Sequence, residues 1–187
     1  MRIIAGDMRS RKLKAPEGMD TRPTADRVKE ALFSILQARL YGARVLDLYA
    51  GSGALALEAL SRGADSAVLA DCAARACQAI QENIDALGCG ARAKLLRMKD
   101  TAALDVLHKQ GDCFDLIFLD PPYRMDTAPV CAAIVEKGLL RPEGTIIVEH
   151  GRETPPRIAP PLLLFDHREY GAAGLGFYQI SGEDDAV

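Results

Sequence analysis

The feature that most constrains the fold is a regular alternation of short apolar segments with helical patterns, which begins near Arg44. The strand-like segments are 45–49, 67–70, 93–98, 115–119 and 145–148. Helical patterns lie between them, near 54–62, 73–87, 101–109 and 127–137. Strands and helices that alternate at this spacing form a parallel sheet with helices on both faces. The sequence therefore predicts a doubly wound α/β fold.

The segment before this alternation predicts a hairpin followed by a helix. Residues 2–5 and 11–14 flank a polar stretch and are expected to pair as a short hairpin. From residue 24 onward, apolar side chains recur at helical spacing. These positions are Val28, Ala31, Leu32, Ile35, Leu36 and Leu40. Thr24 is predicted to be the N-cap of this helix and Gly42 its stop.

The alternation ends after Glu149, because four prolines rule out a regular helix through residues 155–161. Residues 162–167 and 175–180 then predict two strands of an antiparallel hairpin. A glycine-rich loop over residues 170–176 is expected to join them.

The length of 187 residues, 49% of them apolar, fits one globular domain. We expect a single domain over 1–187, with an N-terminal basic hairpin and helix (1–42), a core (43–182) and a frayed acidic tail (183–187). No apolar run approaches the ~20 residues that cross a bilayer. The N-terminus meets charge before an apolar signal core could form, so we expect no membrane association and a cytoplasmic protein.

The five cysteines form no C-x-x-C pair and no cluster with zinc spacing, so we expect reduced thiols and no metal. Charge is uneven along the chain. Residues 1–29 carry eight Lys or Arg against four acids, while the whole chain has a net charge of −3. This basic end is either an arm that contacts phosphates or an ordinary solvated hairpin, and charge alone leaves both open.

A tight turn follows the first predicted strand. Gly51 and Gly53 let the backbone bend sharply and let a ligand approach closely. Ligands of doubly wound sheets bind at the carboxyl ends of the strands. Asp71, twenty residues after Gly51, ends the second strand, where its carboxylate can accept hydrogen bonds from a ribose. These features predict a nucleoside-containing cofactor, with a purely structural turn as the alternative.

Asp47 helps to decide between two classes of cofactor. The spacing Gly51-x-Gly53-x-x-Ala56 also satisfies the dinucleotide pattern, so an NAD-dependent oxidoreductase stays open. Asp47 lies at the end of the first strand, where a carboxylate can face the amino group of S-adenosylmethionine. A pyrophosphate would gain nothing from that charge, so the sequence favours S-adenosylmethionine.

The fourth predicted strand ends in the sequence Asp120-Pro121-Pro122-Tyr123. Proline fixes φ and carries no N–H, so this backbone is stiff and offers acceptors with almost no donors. The Asp120 carboxylate and the Pro121 carbonyl can hold the two N–H bonds of a planar amine, and Tyr123 can stack on its ring. The segment therefore predicts methyl transfer to an aromatic amine. A rigid turn with a buried tyrosine is the plainer alternative.

These segments together resemble the RsmD-type 16S ribosomal RNA guanine-N2 methyltransferases, which have a Rossmann-like class I fold and use S-adenosylmethionine. The segment RPTADR, residues 22–27, is the most specific part of the resemblance. The matching stretches are 1–6, 9–13, 22–33, 47–55, 58–64 and 120–123. The chain departs from the family pattern at Tyr123, where Phe is usual, and at Asp71, where Glu is usual.

The resemblance implies a role for three groups of residues. It places the cofactor at Asp47, Ala50, Gly51, Ser52, Gly53, Asp71, Asp100 and Thr101. It assigns the target base to Asp120, Pro121, Pro122 and Tyr123, and the RNA side to Arg9, Arg11, Arg22 and Arg27. Within the cofactor group, Asp71 would bind the ribose and Asp100 the adenine amino group.

The resemblance also implies a partner, 16S rRNA within a small-subunit particle or assembly intermediate, with the enzyme acting as a monomer. The target base would be splayed out of the RNA to reach the site. Two further alternatives remain from the residues themselves. One is methylation of another amine, adenine N6 or a protein glutamine amide, although those enzymes tend to carry Asn in place of Asp120. The other is a non-catalytic RNA-binding assembly factor.

Overall fold

The computed structural model describes residues 1–16, 23–122 and 125–181, with residues 23–26 described by their backbone alone. Within these ranges, seven strands form one sheet in the order β3-β2-β1-β4-β5-β7-β6. The strands are β1 (Arg44–Asp47), β2 (Ser66–Asp71), β3 (Ala93–Arg97), β4 (Phe114–Leu119), β5 (Leu140–Gly151), β6 (Leu162–Tyr170) and β7 (Ala173–Ile180). Only β7 runs antiparallel to its neighbours, β5 and β6. The predicted doubly wound α/β sheet is confirmed.

Helices cover both faces of this sheet. They are α1 (Pro23–Ile35), α2 (Gln37–Leu40), α3 (Ala54–Ser61), α4 (Ala74–Leu87), α5 (Asp100–Lys109) and α6 (Ala128–Glu136). Apolar side chains of α1, α3 and α4 pack on one face with Val45 and Phe118. Those of α5 and α6 pack on the other face with Leu46 and Ile117. Neighbouring strand residues thus belong to different cores, as the two-residue period of a strand requires.

The strand register places the ends of β1, β4 and β5 side by side. Asp47 pairs with Phe118, and Leu119 pairs with Val148. Asp120 directly follows β4, and Glu149 lies beside it in β5, so the two acids lie at the same edge of the sheet. A site built at the carboxyl ends of the strands can draw on all three.

The predicted N-terminal hairpin is present in a short form. Arg2 and Lys12 form an antiparallel bridge, and backbone hydrogen bonds join the two arms from Ile3 to Arg11, from Ser10 to Ile3 and from Leu13 to Met1, at 3.0, 2.9 and 3.1 Å. Side chains of the core hold other backbone groups of this segment. Glu58 accepts hydrogen bonds from the N–H groups of Ile4 and Ala5, at 2.8 and 3.0 Å. Further along, Ser61 Oγ accepts from the N–H of Met8 at 3.0 Å. The hairpin is therefore short, because α3 holds the N–H groups of Ile4, Ala5 and Met8.

The helix predicted from Thr24 to Leu40 is two helices, separated at Leu36. There the N–H of Arg39 bonds the carbonyl of Leu36 at 2.8 Å, a tighter i to i+3 contact. The N-cap prediction for Thr24 is wrong, because α1 already begins at Pro23.

The loop predicted over residues 170–176 is also wrong, since β6 and β7 leave only Gly171 and Ala172 between them. The later glycines serve close packing inside β7. A Cβ on Gly174 would lie 2.3 Å from the His150 ring, and one on Gly176 would lie 2.7 Å from the Tyr178 ring. The predicted tail, 183–187, lies outside the described residues.

No helix among the described residues is long and apolar enough to span a membrane. The same part of the chain holds no group of three or more His, Cys, Asp or Glu side chains arranged for a metal ion.

Candidate active site

The turn between β1 and α3 forms the floor of the site. Gly51 and Gly53 both adopt left-handed backbone conformations, with φ of 56° and 77°. A Cβ on Gly53 would lie 2.8 Å from the Leu69 side chain, so this position is closed by packing against β2. A Cβ on Gly51 would meet nothing within 4 Å, because this glycine borders open space. The two glycines thus play different parts: Gly53 packs the turn, and Gly51 leaves room above it.

Asp71 holds the turn in place from the end of β2. Its Oδ2 accepts a hydrogen bond from the N–H of Gly51 at 2.9 Å, and its Oδ1 accepts from the N–H of Ala73 at 2.8 Å. Each carboxylate oxygen has a second lone pair, so both can also accept a hydrogen bond from a hydroxyl group. Asp71 therefore anchors the glycine turn and keeps acceptor capacity at its rim.

Asp47 is buried beneath the turn with an unsatisfied atom. Its Oδ2 accepts a long hydrogen bond, 3.4 Å, from the N–H of Ala56, and its Oδ1 has no partner. Burial and the negative charge of Asp120 raise the pKa of Asp47 to about 7. A buried carboxylate without a partner is costly unless a cation completes the site.

A cavity of about 210 Å³ lies between Asp47 and Asp120. Its described lining combines the glycine turn, the ends of β1, β4 and β5, and one face of α1. The lining residues are Met1, Val28, Lys29, Leu32, Asp47, Tyr49, Ala50, Gly51, Ser52, Ala54, Leu55, Asp120 and Glu149. The Asp120 side chain is accessible within this concave edge, yet the surrounding protein desolvates it and raises its pKa to about 6. The cavity is acidic and suits a cationic ligand.

Tyr49 joins this cavity to the start of α5. Its hydroxyl donates a hydrogen bond to Asp100 Oδ2 at 2.6 Å, while Asp100 Oδ1 accepts from the N–H of Thr101 at 2.8 Å. Burial and the Asp100 carboxylate raise the pKa of Tyr49, so the phenol stays protonated and acts as the donor. Asp100 is tied to the glycine turn through this phenol, while Thr101 is exposed beside it.

The rigid turn after β4 divides two cavities. Asp120 lines the first cavity, whereas Pro121 and Pro122 line a second one of about 470 Å³. Glu149 borders both cavities. The predicted stacking residue, Tyr123, lies outside the described residues.

The sequence did not indicate how closely the N-terminal segment is built into this site. The Ser52 hydroxyl donates a hydrogen bond of 3.3 Å to the Met1 sulfur, so the first residue covers the glycine turn. Asn83, buried on α4, donates to the Ser52 carbonyl at 2.8 Å and also accepts from the N–H of Lys14 at 2.8 Å.

Glu58 is fully buried on α3 and forms ion pairs with Lys29 and Arg62. Glu58 and Asn83 lie at helical positions that spacing marks as core. A polar residue on an otherwise apolar helix face was the only signal that could have revealed them.

Two of the four predicted RNA-contacting arginines lie together. Arg9 and Arg27 line a shallow cavity of about 320 Å³ with Arg2, on the surface of the N-terminal segment and α1. Arg11 lies apart from them and donates to the carbonyl of Ala86 in α4. Arg22 falls outside the described residues.

A sheet in which only β7 is antiparallel, with a glycine turn at its central switch point and a donor-poor turn on the adjacent strand, is the architecture of the Rossmann-like methyltransferases. Solved structures support this class. The structure of yhhF from Escherichia coli superimposes with a TM-score of 0.83 at 34% identity, covering 98% of this chain and 99% of the other. The structure of TTHA0928 from Thermus thermophilus gives 0.82 at 31% identity, covering 96% and 99%.

Sequence comparison identifies the family. The model of the family described as conserved hypothetical protein 95 matches residues 1–179. YlbH of Bacillus subtilis is 36% identical over 184 residues, which are 97% of this chain and 100% of the relative. Ribosomal RNA small subunit methyltransferase D of Escherichia coli K12 is 35% identical over 190 residues, covering 100% of this chain and 94% of the relative. The chain belongs to this family of RsmD-type rRNA methyltransferases, which confirms the resemblance and speaks against the oxidoreductase alternative.

Proposed function

We propose that the protein transfers a methyl group from S-adenosylmethionine to the N2 amine of a guanine in small-subunit ribosomal RNA. Membership of the family supports this proposal, because its Escherichia coli relative bears the name of a small-subunit rRNA methyltransferase. The single observation that carries it is the pair of desolvated carboxylates, Asp47 and Asp120, that face one cavity beside the glycine turn.

The cofactor assignment follows from the charge of this cavity. S-adenosylmethionine carries a sulfonium and an ammonium group, and the unpartnered Oδ1 of Asp47 is an acceptor for such a cation. Asp71 would hold the ribose hydroxyls at the rim of the turn, and Asp100 would lie near the adenine. These acceptors therefore fit this cofactor, and Ala50, Gly51 and Ser52 form the floor beneath it.

S-adenosylmethionine supplies an activated methyl group: a nitrogen–carbon bond forms as the sulfur–carbon bond breaks, and S-adenosylhomocysteine leaves. Asp120 and the Pro121 carbonyl would hold the two N–H bonds of the amine, which aims its lone pair at the methyl. Such orientation is worth ~7–11 kcal/mol in well-aligned reactions. One proton must then leave the methylated nitrogen. Asp120, with a pKa raised to about 6, accepts a proton more readily than an ordinary aspartate.

The RNA would approach across the N-terminal segment. Arg2, Arg9 and Arg27 form a basic surface there that can contact phosphates. Because a stacked guanine cannot reach a cavity at the sheet edge, the target base would be splayed out at a cost of a few kcal/mol. Action on an assembled particle as a monomer, and a cytoplasmic location, remain predictions.

The test is transfer of labelled methyl groups to small-subunit particles isolated from cells that lack the gene, followed by mass spectrometric mapping of the modified nucleosides. We expect N2-methylguanosine at one position, and no transfer to particles from cells that carry the gene. Naked 16S rRNA is assayed in parallel to separate the two substrate forms. Methylated adenine, methylated protein or no transfer at all would contradict the proposal.

A further inference from the structure

Glu149 is a half-buried carboxylate that borders both cavities of the active site. It follows Val148 in β5, as Asp120 follows Leu119 in β4, and Leu119 and Val148 are paired neighbours in the sheet. A role for Glu149 rests on the proposed function, since it concerns which base that function accepts.

The side chains of the two acids lie on the same face of the sheet. Leu119 and Val148 pack into the core beneath α5 and α6. Side chains alternate along a strand, so the next residues, Asp120 and Glu149, point to the opposite face, which α1 covers. Val28 and Leu32 of α1 line the same cavity as both acids, in agreement with this placement. Adjacent strands lie about 4.8 Å apart, which sets the approximate spacing of the two carboxyl groups along the edge.

Guanine presents two kinds of donor next to one another, the exocyclic N2 amine and the ring N1–H. If Asp120 holds the amine, the next acceptor along the sheet edge faces the neighbouring ring position. A flipped base is commonly read by hydrogen bonds to this edge, and bonds to a charged acceptor are the stronger ones. Adenine has an unprotonated nitrogen beside its amine, so its lone pair would face the carboxylate and repel it.

We propose that Glu149 is the residue that selects guanine, by accepting a hydrogen bond from the ring N1–H while Asp120 holds the N2 amine. Glu149 is on this view a specificity-determining residue that takes no proton from the reacting nitrogen. This role agrees with the place of Glu149 at the border of both cavities. A base held there would extend from the methyl donor in the first cavity toward the second cavity, beside Pro121 and Pro122.

The experiment compares two target bases in reconstituted small-subunit particles, at the position that mapping identifies. One particle carries guanine there, and the other carries 2-aminopurine, which keeps the reacting amine but has an acceptor at N1. The ratio of kcat/KM for guanine to that for 2-aminopurine is measured for the wild type and for Glu149→Gln. Glutamine can donate to the N1 acceptor through its amide, so we expect the ratio to fall at least about tenfold, equivalent to ~1.4 kcal/mol.

Glu153→Gln is the matched control, because Glu153 is an exposed glutamate just beyond the end of β5. We expect it to leave the ratio unchanged. Calorimetric binding of S-adenosylhomocysteine checks that each variant is folded. If Glu149→Gln does not bind it, Glu149→Asp decides instead: a shortened carboxylate should lower kcat/KM for guanine and keep the preference for guanine over 2-aminopurine.

An equal loss of activity on both bases in Glu149→Gln would overturn the inference and leave Glu149 a structural role. Loss of the guanine preference in Glu149→Asp would overturn it as well. Failure of the wild type to methylate guanine in any particle would instead contradict the proposed function, so the two failures are distinguishable.

Discussion

The two ends of β4 carry acidic residues in opposite environments. Asp115, at the start of the strand, accepts hydrogen bonds from the N–H of Arg44 at 2.8 Å and from Arg141 at 2.9 Å. Asp120, just beyond its end, is desolvated and has a raised pKa, as has Asp47 beside it. The cavity at the Asp115 end is the larger one, about 950 Å³ against about 210 Å³.

Cavity size therefore does not mark the functional end of this sheet. At the Asp115 end the charges are matched within the protein, by Arg141 for Asp115 and by Arg44 for Asp112. At the other end, two desolvated carboxylates face a cavity that a ligand can enter. Neighbouring acids with raised pKa values are typical of sites where binding or chemistry uses them. The following substitutions test this difference, beginning with the largest expected effect.

Asp120→Ala should abolish methyl transfer, with a loss of about 10³-fold or more in kcat, because the amine loses its acceptor. The affinity for S-adenosylhomocysteine should stay within a few fold. Single-turnover kinetics and calorimetry measure the two quantities. Asp115→Ala, at the other end of the same strand, is the control and should retain its rate of transfer. Normal turnover in Asp120→Ala would contradict the role of Asp120 as the acceptor that holds the amine.

Asp47→Asn should weaken binding of S-adenosylhomocysteine by about 10² or more, because a buried cation would lose its charged partner. The pH dependence gives a second readout. Asp47 must lose a proton to bind a cation, so wild-type affinity should rise with pH by up to about tenfold per pH unit and level off above about 7. The asparagine variant should show a much flatter profile. A wild-type affinity that does not change between about pH 5 and about pH 8 would contradict the role of Asp47.

Stability should respond in opposite directions at the two ends. The folded-state pKa of Asp47 is raised, so the folded protein binds the proton more tightly, and stability falls as pH rises from about 4 to about 7. Asp47→Asn removes this loss and should stabilise the cofactor-free protein at about pH 8 by a few kcal/mol at most. Asp115→Asn should destabilise it by ~1–3 kcal/mol, since Arg44 N–H and Arg141 lose a charged acceptor.

Urea unfolding at about pH 5 and about pH 8 measures both variants, with equal slopes required for a valid comparison. Should Asp47→Asn prove destabilising at the higher pH, the buried carboxylate would be satisfied in a way that its unpartnered Oδ1 does not reveal.

The smallest effect concerns the basic surface. The double variant Arg9→Ala and Arg27→Ala should bind particles several-fold more weakly, and the slope of log K against log salt should be shallower by roughly 1–2. Lys109→Ala removes an exposed cation from the end of α5, close to the start of β4, and should leave the slope unchanged. Filter binding over a range of salt concentrations measures the slopes. Equal slopes in all three proteins would mean that Arg9 and Arg27 contact no phosphate.

Local patterns predicted the elements of the core well. The alternation of apolar runs and helical stretches indicated β1 to β5 and α3 to α6, with bounds close to those observed except for β5, which was predicted over 145–148 and spans Leu140–Gly151. The predictions were wrong where a residue packs against, or is bonded by, a residue that is distant in the sequence. Gly174 and Gly176 suggested a loop, yet they lie in β7 because aromatic rings pack against them. The N-terminal hairpin is shorter than predicted, because Glu58 rather than the opposite arm accepts from the N–H groups of Ile4 and Ala5.

The predicted site residues likewise lie together where they belong to local motifs, whereas tertiary contacts decide where the others lie. Asp47, Ala50, Gly51, Ser52 and Asp120 converge on one cavity, as the motifs implied. Asp71 and Asp100 join it through Gly51 and Tyr49. Arg11 instead donates a hydrogen bond to the carbonyl of Ala86 at the end of α4, which its long side chain can reach. Met1 and Lys29 lie in stretches that match the family but had no predicted role in the site, and Glu149 lies outside those stretches.

The sequence by itself determined the order of strands and helices, the glycine turn and the stiff Asp-Pro-Pro corner, because periodicity, glycine conformation and proline geometry are local properties. Only the tertiary structure decided which acids are unsatisfied. Asp47, Asp115 and Asp120 carry the same side chain, and they differ only in the neighbours that the sheet register and α1 bring to them. Desolvation and pairing depend on those neighbours, so they arise when the chain packs.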